Sequence, residues 1–183
     1  MQNQPMWSLS RCITGAGLLA VVATSGCVDQ PPLAPGSGLV LTEIVATGAP
    51  HDWIEVMNVS GQRLDLIDYV YVDSRGDLDR ARMFADITLS PGERHLQPVS
   101  ASRSGFGLAD DEEVWIYRAA DGALVDGHDW YPGAMPAGGS LARLGDTGSF
   151  VAVAVATPGA ANRGLPTTRA GAGVARFVRA GGD

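Results

Sequence analysis

DWIEVMN, running from Asp52 to Asn58, places a carboxylate between an indole and an aliphatic run. Successive side chains of a strand alternate between faces, which puts Ile54 and Val56 on one side and Trp53, Glu55 and Met57 on the other. Upstream, LVLTEIVA (39–46) holds a second acid, Glu43, in a similar setting. Unbroken alternation there predicts Leu39, Leu41 and Glu43 on one face, with Val40, Thr42 and Ile44 opposite. A carboxylate on a half-buried face requires hydrogen-bond donors or an arginine, because burying it unpaired is very costly. Structural pairing therefore accounts for both glutamates; an acid/base pair is the chemical alternative.

Outward from this segment the pattern persists. Between Leu39 and Asn162 the chain runs through LDLIDYVYVD, MFADITL, RHLQPV, EVWIYRA, ALVDGHDWY, SLARL and FVAVAV. NVSGQR, DSRGDLDR, SPGE, ADG, PGAMPAGG and GDTG separate them, the rhythm of short strands and turns in a β-sandwich. Asp121-Gly122 marks a hairpin, since this pair tolerates the positive φ of a tight primed turn. No segment has the period of a long amphipathic helix. The 183 residues suffice for one domain with a real core, and 24 glycines and 11 prolines fit a turn-rich chain.

The formal charge is −7, and all 13 basic residues are arginines. Residues 39–162 hold 18 acids and 8 arginines, a balance of −10. With no dense basic patch to neutralise phosphates, nucleic acid is not an expected partner.

The N-terminus has the form of an export signal: Arg11, then the apolar run CITGAGLLAVVAT, then small residues up to Cys27. Ser25-Gly26-Cys27 resembles the end of a bacterial lipobox, which implies a signal peptide over 1–26 and a lipidated Cys27. Several acyl chains on one cysteine give stable anchoring, at about 0.8 kcal/mol per buried methylene. Residues 27–38, VDQPPLAPGSG after the cysteine, then form a tether, and Val28 in place of an aspartate favours the outer membrane. Cleavage after Ala23-Thr24-Ser25 is the alternative and releases a soluble protein; a Cys12–Cys27 disulfide is a further one. Residues 164–183, rich in Arg, Gly and Ala, lack the apolar content for a core.

The succession TEIVA, DWIEVMN, LDLIDYVYVD, LSPGERHL, GFGLADDEEVWIYRAADGALVDGHDWY and ATPGAAN resembles a bacterial lamin-tail domain over residues 39–163. The resemblance implies an immunoglobulin-like β-sandwich of a kind found in nuclear lamins and in many secreted or surface bacterial proteins. It brings no catalytic residues. The matched positions Glu43, Trp53, Glu55, Asn58, Pro158, Gly159 and Asn162 are implied to be structural.

Other constellations carry candidate chemistry. Glu43 and Glu55, as neighbours across a sheet, could divide acid and base work in a small secreted hydrolase. Asp73, Asp77 and Asp79 in DSRGDLDR offer oxygen donors for calcium, hence a calcium-dependent adhesion module, although Arg75, Arg80 and Arg82 compete and the spacing is not an EF-hand. HDW occurs at 51–53 and 128–130, but adjacent strand residues point apart, which disfavours zinc; His95 has no visible companion. Asp110-Asp111-Glu112-Glu113 reads as an exposed turn beside an edge strand, and Asn58-Val59-Ser60 fits a glycosylation sequon only formally. No G-x-S-x-G, H-E-x-x-H or Walker sequence occurs. The expectation is a non-enzymatic, lipid-anchored envelope protein without cofactor, meeting the membrane through its lipid and an envelope macromolecule through its sandwich.

Overall fold

The structure, a computed structural model, describes residues 38–46, 51–102 and 104–162. The signal peptide, Cys27, nearly all of the tether and the 164–183 tail lie outside the described residues.

The described chain is all-β, with eleven strands: β1 (Leu39–Val45), β2 (Asp52–Asn58), β3 (Leu64–Asp65), β4 (Tyr69–Val72), β5 (Arg82–Met83), β6 (Thr88–Leu89), β7 (Arg94–Val99), β8 (Glu112–Arg118), β9 (Leu124–Trp130), β10 (Ser140–Arg143) and β11 (Phe150–Val153). One antiparallel sheet has five strands in the order β11-β10-β1-β2-β7, and a second has four in the order β5-β4-β8-β9. β3 and β6 make a separate two-stranded ladder. The two large sheets form a sandwich over Leu39, Leu41, Ile44, Ile54, Val56 and Leu141 from the first and Tyr71, Val114, Ile116 and Trp130 from the second.

β2 alternates as its sequence predicts: Ile54 and Val56 enter the core, while Trp53 and Met57 lie half-buried on the outer face. β1 does not. Its register to β2 slips between Leu41 and Glu43, so that Leu41 opposes Val56 and Glu43 opposes Glu55, leaving Thr42 as the extra residue of a β-bulge. One inserted residue reverses the phase of all that follows. Leu39, Leu41 and Ile44 therefore all reach the core, and Glu43, expected beside Leu41, lies on the outer face with Glu55. Thr42 also turns outward and donates from Oγ1 to Glu55 Oε1 at 2.8 Å.

Two predicted strands are divided. A 3-10 turn over Leu66–Asp68 breaks LDLIDYVYVD, and MFADITL splits into β5 and β6. In both cases the chain moves from the two-stranded ladder to the four-stranded sheet, or the reverse, and buried Leu66 and Phe84 anchor the crossing points. The Asp121-Gly122 hairpin joins β8 to β9, but not through a two-residue primed turn. Arg118 and Ala123 bracket the loop through the bond from the Arg118 N–H to the Ala123 carbonyl, and Gly122 (φ +67°) supplies the left-handed residue. Asp121 instead accepts from the Arg118 guanidinium at 2.6 and 2.9 Å.

Candidate functional site

Glu43 and Glu55 are Cα partners on β1 and β2, and both are completely buried. Like charges directly opposite one another destabilise a sheet, so the arrangement needs compensation. It comes from the segment after β11. Thr157-Pro158-Gly159-Ala160 is a type II turn, with proline at the second position, Gly159 at φ +74° in the third and a 3.0 Å bond from the Ala160 N–H to the Thr157 carbonyl. That turn lies across the outer face of the five-stranded sheet as a strap. It aims the Gly159 N–H at Glu55 Oε2 (2.6 Å) and the Thr157 N–H at Glu43 Oε1 (3.0 Å).

Each carboxylate collects further donors. Glu43 accepts from Ser140 Oγ at 2.5 Å and lies 3.1 Å from Thr157 Oγ1. Glu55 accepts from Thr42 Oγ1 and from Arg94 Nη1, both at 2.8 Å, and Arg94 Nη2 reaches on to Asp146 at 2.6 Å. Asn162 closes the strap: its Nδ2 donates to the Thr42 carbonyl at 2.8 Å, and its Oδ1 accepts from the Thr157 hydroxyl at 2.6 Å. The bulge at Thr42 is thus what frees that carbonyl for Asn162. Burial pushes the Glu43 carboxyl up from its ordinary range and Glu55 adds to the push, against the opposing bonds from Ser140 and Thr157.

A second buried charge pair was not foreseen. Asp126 on β9 and Arg143 on β10 are both completely buried and meet at 2.5 Å. They serve the same bulge from its inner side. Asp126 Oδ2 accepts from the Leu41 N–H at 2.8 Å, and Arg143 Nε donates to the Leu41 carbonyl at 2.7 Å. The N–H and carbonyl of Leu41, the residue before the bulge, are therefore satisfied by a salt bridge that also ties one sheet to the other. The signal was present in the sequence as a lone arginine in SLARL and a lone acid in LVDGH, each a charge inside an apolar run that demands a partner.

The remaining candidates separate. Asp73 pairs with Arg80 at 3.5 Å; Asp77 precedes a 3-10 turn over Leu78–Arg80, and Asp79 is exposed. Among the described residues no group of three or more His, Cys, Asp or Glu converges as metal ligands, so these three do not form a calcium cradle. The two HDW tripeptides occupy different environments, since His51 is exposed and His128 is buried. Asn58 is completely buried and fastens the β2 turn, donating to the carbonyls of Gln62 (2.7 Å) and Leu89 (2.9 Å), which leaves the sequon without an accessible amide. Trp53 lies half-buried beside Pro158, Leu96 and Pro98 on the same outer face as the strap. Comparisons with protein-family models, curated proteins and solved structures found no match to this chain.

Proposed function

We propose that this chain is a non-enzymatic, lipid-anchored protein of the cell envelope, in which an immunoglobulin-like sandwich of the lamin-tail type binds another envelope macromolecule or serves as a structural spacer. The observation that carries this reading is the state of Glu43 and Glu55. A general acid or base must come within hydrogen-bond reach of a substrate proton. These two side chains have no exposed surface and are held by the strap, Ser140, Thr42 and Arg94. They are architecture, and the motif ATPGAAN has the same meaning: it supplies the strap that the paired glutamates hold. The anchor rests on the sequence alone, on the apolar run ending in Ser25-Gly26-Cys27.

The test is a Cys27→Ala variant expressed in a bacterial host with labelled palmitate. The parent takes up label and sediments with membranes, preferring the outer-membrane fraction; the variant does neither. A variant that still sediments with membranes overturns the anchor. For the binding half, the domain used as bait retains a specific envelope component after a salt wash, and a bait that retains none leaves only the spacer role.

A further inference from the structure

The two large sheets differ in width, five strands against four. β9, the outermost strand of the smaller sheet, lies over β1 and bonds to its backbone through Asp126, so the inner face of β10 and β11 extends past it. β8 pairs with one edge of β9, and among the described residues no strand pairs with the other. Beside that free edge the uncovered strip opens as a cavity of about 340 Å³, walled by Trp130, Leu141, Phe150 and Ala152. A free edge presents a row of backbone donors and acceptors and readily takes up another strand.

The faces of β9 set what such a strand must carry. His128 and Trp130 point toward the five-stranded sheet, where His128 stacks on Phe150 and Trp130 joins the core. Asp129 points the other way, opposite Glu113 and in line with Gly127, which faces the Trp115 ring. Its Oδ1 is buried without a hydrogen-bond partner. The Phe150 ring is already engaged by His128 and by the Arg143 guanidinium, 4.4 Å from its centroid, so a second cation on the inner side meets like charge. An added strand therefore needs an apolar side chain facing in and a cation on an adjacent residue facing out.

The chain itself contains such a sequence. In an extended VARFVRA (174–180), Phe177 shares a face with Ala175, and Arg176 faces the other way between Val174 and Val178. Valine and phenylalanine both favour strands. Residues 163–183 hold four arginines and one acid, a balance of +3 against −10 for residues 39–162. The route is short as well. Asn162 bonds to Gly145 and Asp146 at the start of the β10–β11 loop, and Ser149 and Phe150 at its end line the cavity. The eleven residues 163–173 can span about 36 Å, whereas packed sheets lie only about 10 Å apart. We propose that residues 174–180 add to the free edge of β9 as the fifth strand of the smaller sheet, with Phe177 in the cavity and Arg176 against Asp129. The inference goes beyond the envelope role and depends on neither the lipid anchor nor a partner molecule.

The experiment is amide hydrogen exchange of the full-length chain, read by NMR. The amides of 174–180 are protected, show cross-strand contacts to 124–130, and keep the same protection at every protein concentration. Phe177→Ala lowers that protection by about tenfold or more, while the Thr157 and Gly159 amides retain theirs and report an intact sandwich. Asp129→Arg lowers it likewise, and the exchanged pair Asp129→Arg/Arg176→Asp restores it. Unprotected 174–180 amides in the parent overturn the proposal. So do protection unchanged by Phe177→Ala, a double variant no better than Asp129→Arg, and protection that grows with protein concentration, which would make a second copy the donor. None of these readouts involves membrane sedimentation or retention of an envelope component, so this inference and the function proposed above fail separately.

Discussion

Glu43 and Glu55 face each other across two adjacent antiparallel strands, both without exposed surface, and the same type II turn donates a backbone N–H to each. The pair forms the receptor of a strap, and the strap joins Ser140, Thr42 and Arg94 in making two like charges tolerable there. Removing one partner of a buried charged contact leaves the other uncompensated, at about 3–5 kcal/mol. Glu55→Ala strands Arg94 Nη1 and the Gly159 N–H together, so urea unfolding of the variant shows a loss in that range. Arg94→Met costs less, because Glu55 keeps Thr42 and Gly159 as donors.

Gly159 occupies φ +74°, a region where a Cβ is disfavoured, although open space surrounds the position. Gly159→Ala therefore acts through backbone strain alone and lowers stability by about 1 kcal/mol, read as a shifted urea midpoint at constant slope. Hydrogen exchange of the Thr157 and Gly159 amides rises well above that of the β2 amides in this variant, because the strap opens before the sandwich does.

How much of this could be read in the sequence depends on what each residue's neighbours in sequence can encode. The alternation of Ile54 and Val56 against Trp53 and Met57 is local, and the strand it predicts is the one observed. Pro158-Gly159 is equally local, because that dipeptide already specifies a type II turn. The bulge at Thr42 is not local. No glycine marks it, and the side chains that bond the backbone at Leu41 and Thr42, those of Asp126, Arg143 and Asn162, lie 84 and more residues away. Since every face assignment downstream of a bulge inverts, unbroken alternation puts Glu43 beside Leu41, whereas the bulge turns it to the opposite face. The division of LDLIDYVYVD has the same origin: a continuous apolar run does not reveal that its two halves pair with different strands.

Asp126 and Arg143 tie the sheets together through the backbone of Leu41. Arg143→Met leaves Asp126 charged and buried, and is expected to cost about 3–5 kcal/mol. The double variant Asp126→Leu/Arg143→Met does not restore stability as an isolated buried pair would allow, because the Leu41 N–H and carbonyl then lose their partners as well, at about 1–3 kcal/mol each. A double-mutant cycle by urea unfolding measures this. A double variant as stable as the parent would show that the pair, not the bulge it serves, dictates the arrangement.

Gly127 faces the indole of Trp115 and the Val114 carbonyl so closely that an added Cβ would overlap both. Trp115 is fixed from its other contacts, buried within a small cluster with Val72 and Tyr117, and has Arg75 4.6 Å from its ring centroid. With little room for the ring to move, Gly127→Ala destabilises by about 1–3 kcal/mol or more. Trp115 fluorescence, shifted to longer wavelength in the folded variant, reports that the ring has moved.

His128 weakens the fold on the acid side of neutrality. Burial foremost, and then the Arg143 charge, hold its pKa down to about 4, against an ordinary value of 6.5. The folded state therefore binds fewer protons than the unfolded chain between those values, and stability falls as pH falls. The contribution is complete above pH 6.5 and is lost on descending through about 4; a depression of this size corresponds to about 3 kcal/mol. Glu43 has the opposite sign. Its carboxyl is raised, so the proton it holds in the fold favours the native state at low pH, and that contribution disappears as pH rises through the folded value. The two effects separate by mutation. His128→Phe keeps the stack on Phe150, removes the titration and flattens the curve between pH 6.5 and 4. Glu43→Gln cannot lose a proton, and its stability declines less than the parent's as the pH is raised from 4.5. Urea midpoints at half-unit steps of pH for the parent and both variants resolve the pair. Parallel curves for His128→Phe and the parent would mean that the imidazole titrates alike in the folded and unfolded chain.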